Sequence, residues 1–89
     1  SPPVPYAWIA AGSQARREQT SHSDQDNGII ISDKMQPGDE GWFEELAQFV
    51  NDGLNDCGFV YCPGEVMARN PKWRQTASVW QGYFDQWIE

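Results

Sequence analysis

The stretch that decides the fold runs from residue 8 to residue 31 and reads WIAAGSQARREQTSHSDQDNGIII. It begins in an apolar segment that stops at Gly12, and it ends in a second apolar segment that follows Asp26. Short apolar runs bounded by turn residues are typical of buried β-strands. The stretch therefore predicts two strands joined by a polar connection.

The spacing of apolar residues in the whole chain predicts one small α/β (α+β) domain over residues 1–89. Apolar residues that recur at steps of three and four predict helices, because this spacing places them on one helical face. β-branched runs next to glycine or proline predict strands. The predicted elements are a strand at 6–11, a helical turn at 13–19, a strand at 24–32, a helix at 40–55, a brief strand at 59–61, a helix start at 70–71 and a helix at 78–88.

Each long helix has a predicted apolar face. On the first helix this face comprises Trp42, Phe43, Leu46, Phe49, Val50 and Leu54. On the last helix it is strongly aromatic and includes Trp80, Tyr83, Phe84 and Trp87. Core packing is the simplest interpretation of the aromatic face, and a surface that binds another domain is the alternative.

Charge and cysteine content restrict the classes of function. The net charge is −7, which argues against broad nucleic-acid binding, because such binding needs a basic face. No apolar run approaches the roughly 18 residues that span a bilayer, and no signal peptide is visible, so the sequence predicts a cytoplasmic protein without a membrane partner. Cys57 and Cys62 are interpreted as free thiols; their spacing also permits a disulfide, and a zinc site would need ligands beyond His22.

Asp24 and Asp26 are the candidate metal ligands. Residues two apart in a strand face the same side, so the two carboxylates are expected close together. Like charges at short distance repel each other, and a hard divalent cation relieves that repulsion. Mg²⁺ is the expected cofactor because it binds one or two carboxylates together with substrate phosphates.

Gly12 and Ser13 predict a complementary phosphate site. A glycine lets the backbone approach a phosphate closely, and the N–H groups that open the following helix point at an anion. Arg16 and Arg17 follow one turn later and would reach a triphosphate. A second group of basic residues is either a further anion site or solvated surface, and it consists of Arg69, Lys72 and Arg74.

Other metal and phosphate motifs do not fit this stretch. An EF-hand loop starting at Asp24 would place Gly28 and Met35 at ligand positions, and neither supplies a side-chain oxygen. The chain has no Gly-Lys-Ser/Thr, and Gly12 is not followed by the other glycines of a dinucleotide fingerprint. Ser13 lacks the elbow of the serine hydrolases. The remaining alternative is that the two aspartates cap a turn.

An apolar strand, a Gly-Ser pair, a polar connection and an Asp-x-Asp pair resemble the polymerase-beta-like nucleotidyltransferase superfamily. The stretches GSQARREQTSHSDQDNGIII and VNDGLNDCGFVYCPGEVMARNPKWRQTASVW are similar to one branch, the nucleotidyltransferase domain of bacterial signal-transduction proteins that also carry CBS and cyclic-nucleotide-binding domains. That branch is similar to the catalytic domain of PII-uridylyltransferases. The resemblance implies Mg²⁺-dependent transfer of a nucleoside monophosphate from a nucleoside triphosphate to a protein or small-molecule acceptor.

The resemblance also implies roles for single residues. Gly12 and Ser13 would grip the phosphates, and Asp24 and Asp26 would hold the catalytic Mg²⁺ ions. The Arg16–Arg17 pair matches a motif of the branch that has no settled role. The segment 67–74 matches the branch as well, again without a role that can be transferred.

Two features depart from the superfamily pattern. Gln25 and Asn27 occupy positions that are usually apolar in the superfamily. No aspartate or glutamate lies on a later apolar strand, where the superfamily places a third carboxylate. The resemblance therefore implies a partial fold, truncated before the third catalytic strand and inactive by itself. A non-catalytic nucleotide-binding regulatory module remains the alternative.

Overall fold

The computed structural model describes residues 1–10, 23–61 and 63–87, with the backbone alone for residues 23 and 24. Its strands and helices are β1 (Tyr6–Ala10), β2 (Ser23–Asp24), β3 (Asn27–Ile31), α1 (Glu40–Asp56), β4 (Phe59–Val60), β5 (Arg74–Thr76) and α2 (Ala77–Trp87). Short 3-10 helices at Pro37–Asp39 and Pro71–Trp73 lead into α1 and β5. The predicted mixed α/β class is confirmed, whereas the predicted helical turn at 13–19 lies outside the described residues.

β3 is the central strand of a three-stranded sheet with the order β1-β3-β5. β1 runs antiparallel to β3, with Tyr6 opposite Ile31 and Ala10 opposite Asn27. β5 runs parallel to β3 on its other side. β2 and β4 form a separate parallel pair.

One face of the three-stranded sheet packs against α1. Ile29 and Ile31 lie on the same side of β3 because strand residues alternate between the two faces. Together with Phe43 and Ala47 of α1 and with Ala68, they form a core in which every member has no exposed surface. These contacts fix α1 across the sheet.

The opposite face of the sheet is covered by α2 through Trp80. The indole N–H of Trp80 donates a 2.9 Å hydrogen bond to the carbonyl oxygen of Ile29. A Cβ atom at Gly28 would lie 3.0 Å from the Trp80 ring and 2.9 Å from the carbonyl oxygen of Trp73. Glycine at position 28 therefore lets α2 approach the sheet, and the sheet lies between the two helices.

The N-terminus of α2 is held by Asp33, the second residue after the end of β3. The backbone N–H and the hydroxyl of Ser78 donate hydrogen bonds of 3.0 and 2.8 Å to the two carboxylate oxygens of Asp33. These bonds, the backbone one first, lower the pKa of the Asp33 carboxyl. A carboxylate at this end also complements the helix dipole, so Asp33 orients α2 against the sheet.

The predicted strand at 24–32 is divided in the structure, which corrects the expectation of one continuous strand. The backbone N–H of Gln25 donates to the carbonyl of Val60, whereas the N–H of Asn27 donates to the carbonyl of Val66. Because the backbone changes partners between these two residues, β2 ends before Gln25 and β3 begins at Asn27. Asp26 therefore lies between two strands and not within one.

The bounds of α1 agree with the prediction, but its buried face is partly different. Phe43 is fully buried, whereas Phe49 is 77% exposed, so its predicted place in the core is wrong. Ala47 and Asn51 follow Phe43 at intervals of four residues and share its buried face. The polar side chain of Asn51 therefore belongs to the buried face of the helix, although the apolar pattern did not include it.

β5 was not predicted. The predicted helix start at 70–71 is the 3-10 turn, in which the Asn70 side chain accepts a 3.1 Å hydrogen bond from the N–H of Lys72. The chain then enters β5 with the polar sequence Arg-Gln-Thr. A three-residue polar strand has no alternating apolar pattern, and it forms here because β3 offers it a backbone partner.

Candidate functional site

The last residue of β1 and the first residue of β3 lie side by side, at the end of the sheet where β1 finishes and β3 begins. Ala10, the last residue of β1, is paired with Asn27, the first residue of β3. Paired residues of antiparallel strands have Cα atoms about 4.5–5.5 Å apart. In the sequence, Gly12 follows Ala10 by two positions and Asp26 immediately precedes Asn27. The chain therefore leaves β1 toward Gly12 at the place where Asp26 leads into β3.

Of the two candidate metal ligands, Asp24 is the last residue of β2, and Asp26 lies in the break between β2 and β3. The backbone of Asp24, in β2, is paired with that of Val60, in β4. The side chain of Asp24 lies outside the described structure. Asp26 is described fully and is half-buried. The candidate phosphate-binding residues also lie outside the described residues, and these are Gly12, Ser13, Arg16 and Arg17.

Asp26 fits the chemistry of a magnesium ligand. Among the described residues, no three acidic, histidine or cysteine side chains come together as a complete metal site. Mg²⁺ does not require such a cluster, because it commonly binds one or two carboxylates and completes its coordination with phosphates and water. A half-buried carboxylate next to a strand end suits that arrangement.

Three amide side chains hold the backbone on both sides of Asp26. Gln25 is 3% exposed, and Asn51 has no exposed surface. The amide nitrogen of Asn51 donates to the side-chain oxygens of Gln25 (3.0 Å) and Asn27 (3.1 Å). The Gln25 amide nitrogen donates to the backbone carbonyl of Asn51 at 2.7 Å, and the Asn27 amide nitrogen donates to Gln25 at 3.1 Å. We call Gln25, Asn27 and Asn51 the amide network.

The amide network also anchors the segment that precedes β5. The Asn27 side-chain oxygen accepts a 2.8 Å hydrogen bond from the N–H of Ala68, and that of Asn51 accepts one from the N–H of Arg69, also at 2.8 Å. These are backbone donors in buried or half-buried residues, which cost free energy when they lack a partner. Gln25 and Asn27, two departures from the superfamily pattern, thus have a structural reason.

Arg74 ties the same segment to α1. It is 3% exposed, and one guanidinium nitrogen donates to the carbonyl oxygens of Ala68 (3.0 Å) and Arg69 (2.9 Å). The other terminal nitrogen lies 3.2 Å from the Glu40 carboxylate. A buried guanidinium engaged in this way does not act as an anion site.

Arg69 and Lys72, the other members of the predicted basic group, also make internal contacts. The Arg69 guanidinium forms a 2.9 Å ion pair with Glu65 and lies 4.1 Å above the Tyr61 ring. The Lys72 ammonium lies 5.0 Å from the centre of the Trp73 ring. These contacts favour a structural role over phosphate binding for the group.

The pKa values of Asp52, Tyr61 and Arg69 are shifted from their ordinary values. The Tyr61 hydroxyl donates a 2.6 Å hydrogen bond to Asp52, and Gln48 donates another at 2.8 Å. The bond from Tyr61 is the main cause that lowers the pKa of the Asp52 carboxyl, and it raises the pKa of the phenol. The hydrogen bond to Glu65 raises the pKa of Arg69. The hydrogen bond between Tyr61 and Asp52 joins the end of β4 to α1. The pKa shifts therefore follow from structural hydrogen bonds.

The cysteine and membrane predictions are tested in part. Cys57 is an exposed free thiol, as predicted, whereas Cys62 and His22 lie outside the described residues. Within the described ranges, neither helix combines the length and apolar character needed to cross a bilayer.

The fold and the site together define a small mixed α/β domain in which an acidic segment enters a sheet beside the strand that leads to a Gly-Ser pair. A family model described as "Putative nucleotidyltransferase DUF294" matches residues 1–89, and the chain belongs to this family. No curated protein matches the chain, and no solved structure does. The resemblance to nucleotidyltransferases is thereby confirmed at the level of the family.

Proposed function

We propose that this chain is the nucleotide-binding part of a Mg²⁺-dependent nucleotidyltransferase domain. The observation that carries the proposal is the pairing of Ala10 with Asn27, because it brings Asp26 beside the end of β1. Family membership supports the reaction class. The substrate would be a nucleoside triphosphate, from which a nucleoside monophosphate is transferred.

The candidate glycine, serine and aspartates each have a defined task in this proposal. Gly12 and Ser13 would bind the phosphates through backbone N–H groups and a hydroxyl. Asp24 and Asp26 would hold Mg²⁺, which supplies charge stabilisation at the phosphates during in-line displacement. An acceptor oxygen would form a bond to the α-phosphorus, and the bond to the leaving pyrophosphate would break. The amide network would keep the backbone at Asp26 in place before substrate binds.

The wider setting is proposed from the resemblance of residues 50–80. The parent chain would be a cytoplasmic bacterial signal-transduction protein with CBS or cyclic-nucleotide-binding domains. The acceptor would be a regulatory protein side chain or a small molecule. Transfer of label from an α-phosphate-labelled nucleoside triphosphate to a protein or a small product would distinguish the two acceptors.

A non-catalytic nucleotide-binding regulatory module is the second candidate. It is favoured by the composition of the later described strands, since neither β4 nor β5 contains aspartate or glutamate. Polymerase-beta-like catalysis would use a third carboxylate on such a strand. The module would bind nucleoside triphosphate with Mg²⁺ but release it unchanged, so binding without label transfer by the longer parent protein identifies this alternative.

The test of the proposed function is calorimetric titration of ATP and UTP with and without Mg²⁺. The proteins are the wild type, the double variant Asp24→Asn/Asp26→Asn and the control double variant Asp56→Asn/Asp85→Asn. The control removes the same charge from exposed positions on α1 and α2. We expect Mg²⁺-dependent binding by the wild type and the control and its loss in Asp24→Asn/Asp26→Asn. Equal heats from all three folded proteins would refute the proposal.

A further inference from the structure

An aromatic cavity of about 220 Å³ lies on the α2 side of the sheet. Four aromatic rings form part of its wall, and they contact one another with neighbouring ring centres between 5.6 and 6.1 Å apart. These rings belong to Trp73, Trp80, Phe84 and Trp87. The remainder of the wall includes Ile9, Ala10 and Asn27. The cavity is partly open, and Phe84 and Trp87 at its rim are 40% and 55% exposed.

The cavity adjoins the proposed nucleotide site. Ala10 and Asn27, which border it, are the paired residues at the edge where Asp26 enters the sheet. Gln25 and Asn27 both bond to Asn51 on the α1 side. Asp26 immediately precedes Asn27 in the sequence and therefore lies next to the pair of Ala10 and Asn27. A molecule bound at Asp26 would therefore have the cavity within reach.

The size and the lining of the cavity select a flat, single ring system. An apolar cavity of about 150 Å³ holds benzene, and sites for drug-sized ligands begin at about 300 Å³. The cavity of about 220 Å³ lies between these limits. Aromatic rings attract other flat rings by stacking, and a stacked ring would remove the exposed faces of Phe84 and Trp87 from water.

We propose that this cavity binds the nucleobase of the nucleoside triphosphate by stacking, with Trp87 and Phe84 as the main contacts. The proposal rests on the proposed function, because that function supplies the ligand class. The described lining is almost wholly apolar. Since every base has a π-face and stacking tolerates sequence, the site discriminates weakly between purines and pyrimidines.

The test uses adenosine and uridine, which have no phosphate and need no Mg²⁺. Each is titrated into the 89-residue chain while tryptophan fluorescence is recorded. The variants are Trp87→Leu and Phe84→Leu, and Trp42→Leu is the matched control because Trp42 is a partly exposed tryptophan that packs against Tyr6 and Phe43 instead. Loss of one base–aromatic stack is expected to weaken binding about 5- to 150-fold, with no change in the control.

Separate measurements distinguish failure of this inference from failure of the proposed function. Mg²⁺-tripolyphosphate, which has no base, is titrated in parallel. The inference is overturned if the chain does not bind nucleosides, or if Trp87→Leu and Phe84→Leu both bind them as tightly as the wild type does. If the chain still binds Mg²⁺-tripolyphosphate in that case, the proposed function is not refuted. A change in sedimentation in these variants without a change in nucleoside affinity also overturns the inference, because the face would then join two copies of the chain.

Discussion

Replacing Asn51 by alanine should destabilise the domain severely, although the residue has no place in the apolar pattern of α1. The Asn51 side chain makes three hydrogen bonds, two as donor to Gln25 and Asn27 and one as acceptor from the N–H of Arg69. Its orientation is fixed by chemistry, because the Arg69 N–H can only donate. Its oxygen must therefore face Arg69, and its nitrogen must face the two other amides.

The expected loss follows from what each partner retains. In Asn51→Ala, the Gln25 oxygen keeps a bond from Asn27, and the Asn27 oxygen keeps a bond from Ala68. These two losses cost about 1 kcal/mol each. The Arg69 N–H loses the acceptor it has in the structure, which adds about 1–3 kcal/mol. The sum is about 3–5 kcal/mol, a large share of the roughly 4–13 kcal/mol expected for a domain of this length.

Urea unfolding followed by circular dichroism measures this loss. Gln48→Ala is the control, because it removes an exposed amide from the same helix and should change stability by less than about 0.5 kcal/mol. Asn51→Asp adds a second test. It places a carboxylate against two amide oxygens, so it should be more destabilising at neutral pH than at acid pH, where the protonated form can donate. If Asn51→Ala is no less stable than Gln48→Ala, the amide network does not stabilise the fold.

Two further predictions concern the seating of α2. Gly28→Ala should destabilise by about 1–3 kcal/mol because its Cβ meets the Trp80 ring, whereas Gly53→Ala, with open space around it, should stabilise α1 by about 0.5–1 kcal/mol. Similar urea midpoints for these two variants would contradict the packing argument. The hydrogen bonds from Ser78 lower the folded-state pKa of Asp33, so their contribution is complete above the ordinary value of 3.8 and is lost as the pH falls through the lower folded value. Asp33→Asn should therefore melt earlier than wild type at pH 7 and lose less on acidification; parallel melting curves at all pH values would refute this role.

The elements with a continuous apolar run or a strong apolar periodicity were predictable from the sequence. β1 was expected at 6–11 and is found at Tyr6–Ala10, and α1 was expected at 40–55 and is found at Glu40–Asp56. In both cases apolar side chains meet the core at intervals that the local geometry repeats. The burial of Trp80 followed from the same periodicity on α2.

The short strands could not be predicted in the same way. β2 and β4 have two residues each, and β5 has three. Their hydrogen-bond partners lie far away in the sequence, as in the pairing of Asp24 with Val60 and of Ile29 with Arg74. No local pattern of the chain records these pairings, so the division of the predicted strand at 24–32 was not visible either.

At the candidate site the sequence singles out the two aspartates, which stay a prediction, but it does not single out the amides beside them. Asp24 and Asp26 drew attention as an isolated pair of like charges, but the amides beside them had no distinctive pattern. The partners of Gln25 and Asn27 lie on α1 and in the segment before β5, 24 to 41 residues away. A polar core residue depends on such distant partners for its hydrogen bonds. The spacing of apolar residues along one sequence gives no information about these partners.

The amide network changes what Gln25 and Asn27 imply about activity. An apolar side chain at position 27 would leave the N–H of Ala68 without the acceptor it has in this structure, at a cost of about 1–3 kcal/mol. Asn27 is therefore required by the segment that packs against it, and Gln25 has its structural role through Asn51, whether or not the domain is catalytic. In the tetrapeptide Asp-Gln-Asp-Asn, the two amide side chains bond to Asn51 of α1, so they have a structural task of their own. The departure from the superfamily pattern therefore has a structural reason in this domain, and it does not by itself argue against catalysis.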